Sequence, residues 1–210
     1  IFEAALEAGA RTGRPVVPVY IWCPEEEGAW KPGAASRWWL HHSLVALDAS
    51  LRPRGARLVV RTGPSLAALQ DLMRETGATE VYWNRLYEPL LIARDTAVKA
   101  ALPAQSFNGS LLHEPWTVQT LAGKPYQVFT PFYKACLAGG EPGTPLPAPQ
   151  KFPTVGKVPA VDFQRLELLP RRNWADGFAD HWTPGETGAW RQLEAFPVEH
   201  YGTERDRPDH

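Results

Sequence analysis

The chain has 210 residues, a formal charge of −1 from 22 basic and 23 acidic side chains, and 17 Gly with 21 Pro. Balanced charge excludes a generally polybasic nucleic-acid binder, and a composition 44% hydrophobic and 21% charged excludes disorder of the whole chain. No apolar run approaches the roughly 20 residues that cross a bilayer and no signal-peptide pattern opens the chain, so no membrane partner and a cytoplasmic location are expected.

Ile1 to Thr12 places Phe2, Ala5, Leu6 and Gly9 on one helical face, with Gly13 as a stop. The β-branched and aromatic run Val16 to Trp22 predicts a strand buried on both faces. Cys23, at its end, reads as a small buried hydrophobe, and it is too far from Cys136 for metal-ligand spacing. After an acidic loop, Trp39, Leu40, Leu44, Leu47 and Leu51 recur at helical spacing and predict a helix over 36–51 with Trp39 in its core stripe. Short strands are predicted around Val59, Val81 and Ser106, with helices over 65–76, closed by Gly77, and over 89–101.

Strands alternating with helices predict an α/β fold, a Rossmann-like doubly wound parallel sheet whose ligand crevice lies beyond the carboxyl ends of the strands. Those ends carry Trp22-Cys23-Pro24, Thr62-Gly63, Asn84-Arg85 and Asn108-Gly109. No G-x-G-x-x-G or Walker-type loop stands at any of them, which removes support for a dinucleotide-binding Rossmann domain and excludes a P-loop NTPase. Leu137 to Val161, dense in Gly and Pro, predicts an irregular connector. Helical patterning returns beyond Trp174. Thr183-Pro184-Gly185-Glu186 predicts a helix start with Pro184 in the first turn and Glu186 as a cap, and Trp190, Leu193 and Phe196 share a face.

Generic catalytic patterns are missing. His41-His42 is an adjacent pair rather than an i,i+4 pair, so no metal site is expected, and Glu25-Glu26-Glu27 reads as a solvated loop.

Four segments are more specific: Ser36-Arg37-Trp38-Trp39-Leu40; Asn84-Arg85-Leu86-Tyr87-Glu88-Pro89 with Ala93-Arg94-Asp95; Leu111-Leu112-His113-Glu114-Pro115-Trp116 followed by Val128-Phe129-Thr130-Pro131-Phe132-Tyr133; and Tyr201-Gly202-Thr203-Glu204-Arg205-Asp206-Arg207-Pro208. In this order they resemble the photolyase/cryptochrome family over essentially the whole chain. Trp182 to Glu186 matches that family's entry into its helical domain. The resemblance implies an α/β antenna domain over 1–136, a linker over 137–170 and the start of an all-α, FAD-binding domain over 171–210. It implies a first, central strand before Ile1, a Thr-Ser-x-Leu-Ser phosphate-binding segment after His210, and a gap in the sheet between the strands at Val17 and Val81. It also implies a monomer that acts on pyrimidine dimers in damaged DNA.

As the resemblance has it, an excited reduced flavin gives one electron to the dimer, and the intact protein is a deoxyribodipyrimidine photolyase. A cryptochrome, a light receptor without repair, is the first alternative, and a stand-alone nucleotide-binding α/β module the second. Tyr201 matches the family tyrosine on FAD and Arg205 the arginine on the DNA backbone. Arg94-Asp95 matches a structural pair. Leu90-Leu91 stands where folate-binding bacterial members carry Asn-Glu. An antenna chromophore (methenyltetrahydrofolate, a flavin or a deazaflavin) is therefore expected, if held at all, by Trp38, Tyr87 and Glu88.

Overall fold

The computed structural model describes residues 13–140, 150–151, 153, 155–156, 158–172 and 174–197. The helix expected over 1–12, Tyr201 and Arg205 lie outside these residues. In chain order the elements are β1 (Val19–Trp22), α1 (Ala34–Leu51), β2 (Val59–Thr62), α2 (Ser65–Thr76), β3 (Val81–Asn84) and α3 (Pro89–Ala101), then β4 (Ala104–Phe107), α4 (Phe129–Ala138), α5 (Phe178–His181) and α6 (Glu186–Ala195). The chain divides into two compact units, Val17–Gly63 with Lys157–His210, and Ile1–Val16 with Pro64–Gly156.

In the first unit β1 and β2 run parallel, Val19 opposite Val59 and Trp22 opposite Thr62, with α1 as the crossover. β2 is the strand that is buried, through Val59 and Val60, whereas every residue of β1 is half-buried, so the expected two-sided burial belongs to the second strand. The Val161 N–H donates to the Val60 carbonyl, fixing the returning segment beside β2. Trp38, Leu44, Leu51, Ala56, Leu58, Leu166, Leu168 and Ala175 complete the apolar core. A fully buried leucine contributes about 1.5–3 kcal/mol. Asp48 locks the end of α1: one carboxylate oxygen accepts from Arg52 Nε at 2.9 Å and Nη2 at 2.6 Å, the other from the Leu58 N–H at 2.9 Å.

α6 starts at Glu186, preceded by Gly185 at φ 102, so Pro184 lies ahead of the helix and Glu186 is its first residue, not its cap. A Cβ on Gly185 would sit 2.9 Å from the Ala46 methyl, so glycine serves both the backbone angle and the approach to α1.

The second unit repeats the βαβ plan. β3 and β4 run parallel, Val81 opposite Ala104 and Asn84 opposite Phe107, with α3 between them and α2 packed on α3. Buried here are Ala68, Leu69, Leu72, Leu91 and Val98, and no residue of β3, β4 or α4. Polar links hold the layers: Trp83 Nε1 donates to Asp95 at 2.7 Å, and Arg94 clasps the other Asp95 oxygen at 2.7 and 2.9 Å.

The four strands thus form two separate parallel pairs, and among the described residues no pairing joins β1 to β3. Between Gln150 and Val161 the described residues contain no helix or strand, as the Gly and Pro content predicts.

Candidate functional site

The carboxyl ends of β3 and β4 are where this topology presents side chains to a ligand. Beyond Asn84 the chain runs through Arg85 and Tyr87, and the Arg85 N–H donates to the Phe107 carbonyl at 2.8 Å, extending the strand pair by one bond. Beyond Phe107, Asn108 shapes a turn: its side-chain oxygen accepts from the N–H groups of Ser110 and Leu111, and its amide donates to the Leu111 carbonyl at 2.6 Å. Gly109 is required by proximity. A Cβ there would lie 2.0 Å from the Asn84 side-chain nitrogen and 2.9 Å from its Cβ.

This turn delivers Glu114 and Trp116 to the strand end. The Tyr87 phenol donates to Glu114 Oε1 at 2.7 Å, and the Arg85 guanidinium Nε lies 3.0 Å from the same oxygen. That second contact is an ion pair by proximity, since the buried Nε makes no aligned hydrogen bond. The guanidinium carbon stands 5.5 Å from the centroid of Trp116, and the Tyr87 ring is 6.1 Å from the same indole. Burial first, then the accepting and negatively charged Glu114, push the Tyr87 phenol above its usual range, while Arg85 pulls it down. The Glu114 side chain is largely buried and Trp116 half exposed. Glu114 therefore acts as a hub that orients a cation and an indole. Nothing in the cluster is set up as a nucleophile or general base.

The candidates of the sequence divide between the units. Tyr87 joins the cluster; Glu88 turns back, accepting from the Tyr87 N–H at 3.0 Å. Trp38 belongs to the other unit. It is 7% exposed, with His42 4.4 Å and Phe178 5.2 Å away between ring centroids, whereas Trp39 is 41% exposed. The expected roles of these two indoles are exchanged: Trp38 is core, and Trp39 is the one at the surface. Cys23 is likewise only half-buried, its thiol pushed up by burial and the neighbouring glutamates. Arg94-Asp95 is the structural pair anticipated. Arg85, Asn108, Glu114 and Trp116 had no assigned role; their signal was position, since all lie within a few residues of two strand ends.

A family model described as DNA photolyase matches residues 3–150, the stretch that contains both strand pairs and this cluster. The chain belongs to the DNA photolyase family. It is 45% identical over 200 residues to the deoxyribodipyrimidine photo-lyase of Agrobacterium fabrum, covering 91% of this chain and 41% of that protein. It is 38% identical over 217 residues to cryptochrome-1 of Arabidopsis thaliana, covering 98% and 32%. The structure matches that of a class III photolyase from Agrobacterium tumefaciens with a TM-score of 0.82 and 43% identity, over 91% of this chain and 40% of that one. The chain thus spans about a third to two fifths of the length of these relatives, and its fold is that of the photolyase N-terminal α/β domain.

Trp38 is covered, the Tyr87 proton is given to Glu114, and Glu88 closes on the adjacent backbone.

Proposed function

We propose that the chain is the α/β portion of a light-driven deoxyribodipyrimidine photolyase that works with FAD on pyrimidine dimers in DNA. The observation that carries this reading is the 45% identity to a bacterial photolyase over nine tenths of the chain. In this proposal residues 1–136 form the α/β domain, 137–170 the linker and 171–210 the entry to a helical, flavin-binding domain. Bound reduced flavin supplies the light-driven electron. Tyr201 holds it through its phenol, and Arg205 meets the DNA backbone through a bidentate guanidinium contact. The Glu114 cluster keeps the loop after β4 against the end of β3. No antenna step is assigned.

The test is repair. The protein purified from its own cells, with reduced flavin, is illuminated with an oligonucleotide carrying one cyclobutane thymine dimer. Light-dependent recovery of thymine absorbance is the expected result. Flavin photoreduction with no loss of dimer would overturn it in favour of the cryptochrome reading, which the 38% identity to a plant cryptochrome over 98% of the chain supports.

A further inference from the structure

We propose that Asn108-Gly109, in the turn after β4, is a spontaneous modification site. There the asparagine amide is converted to a carboxylate or an isoaspartyl link, which releases the Glu114 loop from the strand end. Asparagine is among the least durable residues of a protein. Its cyclisation onto the next backbone nitrogen is easiest before glycine, where no side chain obstructs the ring.

The turn favours the reaction in three ways. Asn108 and Gly109 are both exposed to water. The Gly109 N–H donates to no acceptor among the described residues, so solvent base can take its proton. Asn108 Oδ1 accepts from the N–H groups of Ser110 at 3.3 Å and Leu111 at 3.1 Å. Those two dipoles draw charge from the Cγ carbonyl and meet the oxygen where negative charge grows as the carbon is attacked. They also hold the carboxamide beside the attacking nitrogen instead of leaving it free to rotate. One bond opposes the reaction: Nδ2 donates to the Leu111 carbonyl at 2.6 Å and must let go as it leaves.

The chemistry balances with water alone. The Gly109 nitrogen, its proton passed to water, forms a bond to Asn108 Cγ. The bond from Cγ to Nδ2 breaks, and Nδ2 takes a proton from water and departs as ammonia. Water then opens the cyclic imide at either carbonyl. The products are aspartate at position 108, or a chain that continues through that side chain. Nothing is oxidised or reduced.

Neither product fits the turn. A carboxylate has no proton to give the Leu111 carbonyl, and it sets a new negative charge beside the Tyr87 phenol, which lies 3.5 Å from Asn108 Oδ1. The isoaspartyl link adds a backbone atom ahead of Gly109, where even a Cβ would lie 2.0 Å from Asn84. The loop that carries Glu114 to Tyr87 and Trp116 to Arg85 is thereby loosened. Asn84 also keeps the vulnerable pair in place, since it refuses any larger residue at 109. The inference stands apart from the repair reading, and neither test decides the other.

The whole chain is incubated at neutral pH in heavy-oxygen water beside a synthetic peptide of residues 105–111. Mass spectrometry with peptide mapping follows oxygen uptake at Asn108, with Asn84 and Asn173 as internal references. Asn108 is expected to convert about tenfold faster in the folded chain than in the peptide, because only the fold supplies the two donors. A rate equal to or below that of the peptide would overturn the proposal. The converted fraction, separated by its added charge, is expected to exchange the amides of residues 110–116 about tenfold faster, with those of β2 unchanged. Unchanged exchange over 110–116 would overturn the release of the loop. Asn108→Asp is expected to show the fast exchange without ageing, and wild-type protection in it would count equally against the proposal. Should that variant fail to fold, the aged wild-type chain decides the matter without it.

Discussion

In the β1/β2 unit Val60 is wholly buried and Leu44, Leu51 and Leu58 are nearly so, whereas in the β3/β4 unit no strand residue is buried at all. Both units have the same βαβ plan of two parallel strands around one helix. The first is closed by apolar packing, with Asp48 as a buried polar tie between α1 and the chain entering β2. The second is closed by polar links: Trp83 to Asp95 and Arg94 within the layers, and Tyr87, Arg85 and Glu114 at the strand ends. Equal topology therefore does not mean equal physics. Apolar closure is insensitive to charge and best suited to a scaffold. Polar closure keeps oriented donors, acceptors and an indole at the surface.

Cutting into the apolar unit gives the largest effect. Leu44→Ala is expected to destabilise by about 2–5 kcal/mol in urea unfolding, the usual range for a buried leucine. Asp48→Ala is expected to cost about 2–3 kcal/mol, because it leaves the Leu58 N–H unpaired and Arg52 without its carboxylate. A cost under about 0.5 kcal/mol for either, the level of an ordinary surface change, would break the contrast.

High pH sharpens it. Burial, then the nearby Glu27 charge, push the Tyr20 phenol from 10.0 up to about 12. The unfolded chain releases this proton first, so the folded state binds more protons across that window and its stability falls as pH rises. The stabilisation is fully present below pH 10 and about 2–3 kcal/mol is lost by pH 12. Tyrosinate absorbance, followed together with unfolding, reads this directly. A Tyr20 titration at its ordinary value would remove it from the packed unit.

The smallest effect is expected in the polar unit. Glu114→Gln should cost about 1 kcal/mol, removing the charge opposite Arg85 while keeping an acceptor for Tyr87. It should also bring the Tyr87 titration back toward its usual range, since the like charge that raised it is gone. An unmoved Tyr87 titration would show that burial alone sets it.

Much of this was legible in the sequence. Gly77 closes α2 where expected, and the limits of α2 and α3 match the apolar spacing and the flanking Pro and Gly. α1 shows where the reading failed. Its buried face is Trp38, His41, Leu44, Asp48 and Leu51, a regular stripe that includes two polar residues. A search for apolar spacing passes over His41 and Asp48 and slides one position to Trp39, Leu40 and Leu47. What settles Trp38 against Trp39 is Phe178, which comes from far along the chain. Glu114 was hidden for a similar reason: its partner Tyr87 lies 27 residues away, a separation no local pattern encodes. The fit of Gly109 against Asn84 is equally non-local.

Hydrogen exchange read by mass spectrometry tests the contrast between the units most directly. The account predicts that the amides of Val59 and Val60 exchange only through global unfolding, with protection unchanged in Glu114→Gln. Those of Val81–Asn84 and Ala104–Phe107 should open locally at lower free energy, and faster still in that variant. Equal protection in the two strand pairs, or a Glu114→Gln effect spread over both, would contradict it.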